Sequence, residues 1–587
     1  MRLKQKTRLH GNRVFCFRGN ETIINAVPFK KVFVLLLVVF SACSAPAQNT
    51  IVVPTATLAP ATSVLDTAAT ISPTAPRPTR APLPTFAKPA IQTPAWFDDV
   101  VLYEIFPRSF YDADGDGIGD LQGIAQKLDY LQDLGVGAIW LTPIFASPSY
   151  HGYDVTDYYK INPEFGAEQD LIDLVNAAHK RDIKIILDFV AGHSSDQHPF
   201  FKDAYGNPNS KYAAWYRWLD DAHTKYEHFG SATNMPKWNQ DNPEVRAYLL
   251  ENAKYWMNTA GIDGYRLDYA LGVSHDFWKA FRQEIKSINA DALLLGEVWD
   301  SGLKIKPYYD NQFDATFDFP VYYDVMGSHD RAGASALLAQ RGLNAFESTL
   351  RAETRLYPPG AQSVRFLNNH DTLRVMSQVK TACQLSAAEC ERHVVERAKL
   401  AATLLLTLPA TPMMYYGEEI GMSGDKSDGD KTVREPMDWY ASENGAGMTT
   451  WYRPATGFNQ PDDGISVAEQ QNQTASLFER YRALLALRAQ HDALRHGEFV
   501  AIPFVGAPAA ELSALAAYAR VTDAETILVV LNAGDQAVEA TLDLSALGSD
   551  TITLHDLLAA NTLAPAPAQN FSLRLAPRAA YVFQLEP

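Results

Sequence analysis

The chain has 587 residues, of which 47% are hydrophobic and 20% charged, the composition of a folded globular protein with room for a large core and accessory domains. Its formal net charge of −17 excludes nucleic acid as a partner, because phosphate binding needs clustered Lys and Arg. The aromatic share of 11%, with 10 Trp and 27 Tyr, suits stacking on sugar rings and equally suits an ordinary large core.

At the N-terminus, Lys30 and Lys31 precede the apolar run Val32 to Phe40, which is followed by Ser41, Ala42 and Cys43. This is the layout of a secretory signal, and nine apolar residues are too few to cross a bilayer, which takes about 20. Small residues directly before Cys43 resemble a bacterial lipobox, with Phe40 in place of the usual Leu. Residues 1–43 are therefore expected to be a signal segment and Cys43 the lipidated start of the mature chain. Plain secretion and retention as a signal anchor are the alternatives. Either of the first two puts the protein outside the cytoplasm, as a bacterial cell-surface lipoprotein or a secreted protein that touches the membrane only through its lipid. Residues 44–95, dominated by Pro, Thr and Ala, lack apolar periodicity and read as an extended spacer. Cys383 and Cys390, six residues apart in a polar stretch, are either a local disulfide or two free thiols.

From Trp96 onward short apolar runs alternate with amphipathic stretches. Val100 to Phe106, Gly137 to Leu141, Ile183 to Phe189, Asp263 to Asp268, Ala292 to Val298, Gln312 to Phe319, Ser363 to Leu367 and Thr411 to Gly417 read as eight buried strands. Helical periodicity is clearest over Leu121 to Leu134, Glu168 to Arg181, Pro243 to Ala260 and Ser274 to Ile288. Parallel strands need crossover helices, so the expected fold is α/β: a (β/α)8 TIM barrel over 96–193 and 243–496. An inserted domain is expected after strand 3, at 194–242, and an antiparallel β-sandwich domain at 497–587.

Active sites of such barrels lie at the C-terminal ends of the strands, so charged residues there are informative. Strand 3 ends in Asp188 with His193 close behind. Strand 4 ends Arg266-Leu267-Asp268, strand 5 ends Glu297-Val298-Trp299, and strand 7 ends Asn369-His370-Asp371. Buried acids at four equivalent positions point to chemistry rather than to isolated ion pairs. Retaining cleavage of a glycosidic bond needs one carboxylate to attack the anomeric carbon and another to protonate the leaving oxygen, about 5 to 5.5 Å apart. Asp268 and Glu297 on adjacent strands suit those roles. Arg266, two residues before Asp268, shares its face of the strand and is expected to keep it ionised. Glu297 must hold a proton, so dry surroundings are expected, with Trp299 as part of the apolar wall.

These segments resemble the four signature regions of the α-amylase family, glycoside hydrolase family 13, over about 400 residues of barrel in the correct order. The resemblance implies Asp268 as nucleophile, Glu297 as general acid/base and Asp371 as transition-state stabiliser. It also implies that Asp188, His193, Arg266 and His370 shape the first glycone subsite, the two His donating hydrogen bonds, with Tyr153 as stacking platform. Trp299 and Arg374 complete the candidate substrate-binding residues. The run Gly417-Glu418-Glu419-Ile420-Gly421 after strand 8 also fits the family.

Asp112, Asp114, Asp116 and Asp120 alternate around Gly115, Gly117 and Gly119, with the carbonyl of Ile118 between. Hard oxygen donors at every second residue of a Gly-rich turn form an EF-hand-like Ca2+ loop; the alternative is a solvated acidic turn. Similar loops occur in the oligo-1,6-glucosidase and neopullulanase branches of the family. Gly192 and Leu271-Gly272 replace residues with which amylases bind a further, interdomain calcium.

For the substrate, Tyr150 stands where exo-glucosidases of the family carry an Asp, which favours an open cleft. Asn234-Met235-Pro236-Lys237-Trp238-Asn239 resembles a motif of the subfamily between oligo-1,6-glucosidases and neopullulanases that includes lipoprotein amylases. Arg434-Glu435-Pro436-Met437-Asp438-Trp439 instead resembles the exo-glucosidase side. The expected activity is hydrolysis of α-1,4-glucosidic bonds in starch and maltooligosaccharides by a monomer. The alternatives are α-glucosidase or neopullulanase-type activity, a 4-α-glucanotransferase with Trp238, Trp299 and Tyr308 holding the acceptor, and a non-catalytic membrane-anchored relative.

Overall fold

The computed structural model describes residues 91–327, 337, 342–382, 387–454, 457–506 and 512–586. The signal segment, Cys43, Cys383 and the side chain of Cys390 lie outside the described residues. The spacer expected to run to residue 95 has already met the barrel by residue 91: Ile91 is buried, and the Thr93 hydroxyl donates to the Gly360 carbonyl at 2.9 Å.

Eight parallel strands close a barrel: β1 (Leu102–Ile105), β2 (Ala138–Leu141), β3 (Lys184–Phe189), β4 (Gly264–Leu267), β5 (Leu293–Gly296), β6 (Ala315–Phe317), β7 (Gln362–Phe366) and β8 (Thr411–Tyr415). Every residue of β1, β2, β4 and β5 is buried, as continuous apolar runs covered on both faces require. β6 is shorter than its apolar run because Asp318 accepts from the Val321 N–H and, with Pro320 in the first turn, starts a helix at Phe319. The helix Pro243–Thr259 begins the same way, with Asn242 as cap and Pro243 at its first position, and Ser274 caps His275–Ile288.

The helix expected over Leu121 to Leu134 forms as two pieces, Leu121–Gln126 and Leu128–Leu134. At the break, Lys127 leaves helical geometry and lays its ammonium 4.2 Å and 4.0 Å from the rings of Tyr111 and Trp439. Gly135, at φ 99°, ends the second piece in the left-handed conformation that glycine adopts without strain.

Between β3 and β4 the chain forms a helix at Pro199–Ala204 and a hairpin of His228–Phe229 with Ala232–Pro236, packed around aromatic rings that include Phe201, Tyr216 and Trp238. After the barrel, β9 (Glu498–Ala501), β10 (Leu515–Val521), β11 (Thr526–Asn532), β12 (Val538–Leu542), β13 (Thr551–Asp556), β14 (Asn561–Pro567), β15 (Phe571–Leu575) and β16 (Ala579–Glu586) build two antiparallel sheets. The larger runs β9-β10-β11-β16-β13-β14 and the smaller pairs β12 with β15. Leu528, Val530, Leu542, Phe571 and Phe583 share the core of this sandwich. Arg520 on β10 ties it to the barrel by donating to the carbonyls of Thr407 and Leu494.

Candidate active site

Strand register assembles the site. Asp188 on β3 stands directly beside Arg266 on β4, which stands beside Leu295 on β5. Because side chains alternate, Asp188, Arg266, Asp268 and Glu297 all point to one face, into the mouth of the barrel. The Asp268 N–H donates to the Phe189 carbonyl at 3.1 Å and the Glu297 N–H to the Leu267 carbonyl at 3.0 Å, so both carboxylates sit one residue beyond their strands on hydrogen-bonded backbone. Gly296 makes room for this: a Cβ there would lie 2.2 Å from the Phe313 ring.

A single guanidinium organises the acids. Arg266 Nη1 lies 2.9 Å from both Asp188 oxygens and 2.9 Å from Asp268 Oδ1, while Nη2 lies 2.8 Å from Glu297 Oε2. Glu297 also accepts from the Tyr269 N–H at 2.8 Å. Burial raises the pKa of Glu297 above the usual carboxylate range; Arg266 opposes this, and Asp268 and Asp371 add to it. Burial raises Asp268 too, and pushes Asp188 up to about 7, each against the pull of Arg266. One cation is thus divided among three carboxylates, with Arg266 favouring the ionised form of Asp268 and burial opposing it.

Asp371 behaves differently. Burial would raise it, but His370 and Arg434 hold it well below the usual range. Its Oδ2 lies 3.1 Å from His370 Nε2 and its Oδ1 accepts from Arg434 Nη2 at 2.9 Å. His370 is completely buried, its ring stacked on Tyr153 at 5.5 Å. Its Nδ1 donates to Glu104 Oε1 at 2.5 Å, and Nε2 is 2.6 Å from the Tyr153 hydroxyl, which in turn donates to Asp188 at 3.2 Å. Burial disfavours a charged ring, but Asp371 and Glu104 outweigh it and raise His370 to about 9. Four buried carboxylates, Glu104, Asp188, Asp268 and Glu297, and the partly exposed Asp371 therefore share three cations, Arg266, His370 and Arg434, the last also paired with Asp430. Positive charge is therefore short at this site, and both the shortage and burial favour the protonated form of its acids, Glu297 among them.

The His370 shift has a stability consequence. The ordinary imidazole pKa is about 6.5, so raising it to about 9 makes the charged-ring ion pairs stabilising in full below about pH 6.5 and lost as pH rises through 9. The melting temperature is expected to fall across that window, and to fall less in His370→Asn; equal slopes in the two proteins would refute the assignment.

The cavity at the barrel mouth has a volume of about 460 Å³. Asp268, Glu297, Asp371, Tyr153, His193 and Trp299 line it, as expected from the sequence. Asp188, Arg266 and His370 lie directly behind that lining. His193 spends its Nε2–H on the Tyr153 carbonyl at 3.1 Å, and burial lowers its pKa to about 4, so the neutral ring offers an acceptor rather than the expected donor. His370 likewise has both nitrogens engaged by protein groups and positions Asp371 and Tyr153.

Three sequence assignments are corrected. Arg374 is fully buried outside the cavity, donating to the Val433 and Tyr416 carbonyls with its guanidinium over the Tyr415 and Tyr416 rings; it is a structural residue. Trp238 is fully buried against Tyr216, and Tyr308 is 5% exposed and stacked on Phe313, so neither ring is open to an acceptor sugar. Trp299 is open, 36% exposed at the cavity rim and stacked on Phe319 at 4.4 Å. Tyr150 is not among the residues lining the cavity; its ring stacks on Trp451 and packs against His151, which does line it.

Phe229, Met235, Tyr269, Leu271 and Arg434 also line the cavity, and Glu104 supports His370 from β1. Phe229 carries no sequence signal, being one aromatic in an irregular segment. Glu104, the only charged residue within the apolar run Val100 to Phe106, could have been found by the same logic that singled out Asp188.

Paired buried carboxylates at the mouth of a (β/α)8 barrel, with a third acid held by His and Arg, define a glycoside-cleaving enzyme. Comparison with known proteins agrees. Residues 104–497 match the family described as Alpha amylase, catalytic domain. Alpha-amylase 3 of Dictyoglomus thermophilum is 36% identical over 458 residues, covering 74% of this chain and 85% of the relative. The maltogenic alpha-amylase of Bacillus acidopullulyticus is 33% identical over 484 residues, covering 78% and 73%. The crystal structure of the alpha-amylase from H. orenii superposes with a TM-score of 0.69 at 32% identity, covering 83% of this chain and all of that one. The chain belongs to the α-amylase family, glycoside hydrolase family 13, and is a glycosidase.

Proposed function

We propose that the protein hydrolyses α-1,4-glucosidic bonds of starch and maltooligosaccharides with retention, through a covalent glycosyl-enzyme intermediate. The observation that carries this reading is the bridging of Asp268 and Glu297 by one guanidinium, which holds the two carboxylates within the reach of a single side chain. Asp268 attacks the anomeric carbon while Glu297 gives its proton to the departing oxygen. Glu297, now a carboxylate, takes a proton from water as that water attacks the ester, releasing the sugar and restoring both groups. Asp371, the most firmly ionised of the acids, faces the positive charge that develops on the ring. Both working carboxyls are raised by burial, so the bell-shaped kcat/KM profile is displaced upward from that of ordinary carboxylates.

The product profile on starch, pullulan, cyclodextrins and sucrose tests the bond assignment, and products longer than a maltotriose substrate would overturn simple hydrolysis in favour of glucanotransfer. A neopullulanase or cyclomaltodextrinase reading draws support from relatives carrying those names at 36% and 33% identity.

Calcium is the cation this reading assigns to the Asp112 loop. Carboxylate oxygens of Asp112, Asp114 and Asp116 lie within 4.8 Å of one another, all hard donors. Asp112 accepts from the Gly115 and Gly117 N–H groups, and Asp120, which caps the next helix, from Ala113 and Gly123. These bonds set the turn, with Asp120 and the Ile118 carbonyl as further donors. The ion would shield the mutual repulsion of the acids and would play no part in the chemistry. Chelation is expected to lower the melting temperature by several degrees while leaving the pH profile of residual activity unchanged; an unchanged melting temperature would count against calcium there.

This reading includes a monomer outside the cytoplasm, tethered by lipid on Cys43 or secreted, the location supported by the apolar run Val32 to Phe40 before Ser41, Ala42 and Cys43. The mass of the mature N-terminus in a bacterial host decides between them.

A further inference from the structure

A second group of acids lies on the segment that follows Arg434, away from the catalytic cavity. Asp438 is 2% exposed, and its Oδ1 is buried with no hydrogen-bond partner. Glu443 Oε1 is buried and unpartnered among the described residues as well, and its other oxygen lies 3.9 Å from Arg453 Nη1. Both side chains line a small cavity of about 120 Å³, whose wall also carries Glu435 and Gln460. Glu435 is satisfied, accepting from the N–H groups of Phe458 and Asn459. The other two leave unpartnered buried oxygens, and both line this one cavity together with Arg453, an arrangement that costs free energy through lost hydrogen bonds and through repulsion between the acids. A hard cation removes both costs, and the volume admits one with its remaining waters, each needing about 30 Å³.

We propose that Asp438 and Glu443 bind a calcium ion, separate from the Asp112 loop. The place is mechanically significant. Arg434, four residues before Asp438, grips Asp371, while the Met437 N–H and the Trp439 indole donate to the carbonyls of Ser109 and Phe110. The Gly447 carbonyl, four residues after Glu443, accepts from the Asp112 N–H at 2.9 Å. A cation here braces the segment that holds the third acid in place.

The test is calorimetric titration of the chelator-stripped full chain with Ca2+. The parent is expected to bind one equivalent more than Asp438→Asn/Glu443→Gln, and that lost event is expected to persist in Asp112→Asn/Asp114→Asn. Equal stoichiometry in the parent and the Asp438→Asn/Glu443→Gln variant overturns the proposal. Should that variant fail to fold, parent crystals soaked in CaCl2 decide: anomalous density between Asp438 and Glu443 supports the site, and density for water alone overturns it.

Discussion

Asp268→Asn is expected to lower kcat on maltotriose by about 10⁴-fold or more, equivalent to about 5.4 kcal/mol of transition-state stabilisation. The reason is chemical rather than structural. An amide oxygen still accepts from Arg266 Nη1, now at 2.9 Å from Asp268 Oδ1, so the strand end and its neighbours keep their arrangement. What disappears is the lone pair able to form an ester with the anomeric carbon. Reducing-sugar release measures the loss, and an unchanged melting temperature separates it from misfolding. Activity equal to the parent's would sink the assignment of Asp268 as nucleophile.

Glu297→Gln is expected to cost about 10²- to 10⁴-fold on natural glucans, the range of general acid–base catalysis, and its signature lies in what it spares. A glucosyl fluoride needs no protonation of its leaving group, so formation of the glycosyl-enzyme from it should proceed at close to the parental rate. Hydrolysis of that intermediate then lacks its base, and the covalent adduct should accumulate to a mass shift on the intact protein. The alkaline limb of the kcat/KM profile, which follows loss of the proton that burial holds on Glu297, should vanish for the fluoride. Slow reaction of fluoride and glucan alike would exclude an acid role.

The barrel was legible because each strand is an apolar run between amphipathic helices, a pattern that parallel sheets impose. All eight runs became strands, seven of them shorter than the run itself, β6 most of all because the Asp318 cap starts a helix there. The acids were legible because charges are rare at the ends of such runs. Arg374 follows Asp371 by three residues, but closeness in sequence does not set direction, and the chain turns it onto Tyr415 and Tyr416 instead. Trp238 and Tyr308 were misread because an aromatic residue suits a sugar or a core equally well, and both went to the core.

By itself, then, the sequence determined the barrel, the strand ends bearing Asp188, Asp268, Glu297 and Asp371, and the acidic loop from Asp112 to Asp120, because local periodicity and residue type encode them. Only the tertiary structure decided that one guanidinium serves three carboxylates, that Glu104 reaches His370 across 266 residues of chain, and that Asp438 and Glu443 meet in a cavity. Those are sums of charge and solvation over groups distant in sequence. They take definite values only once closure of the barrel has fixed which groups share a site without water.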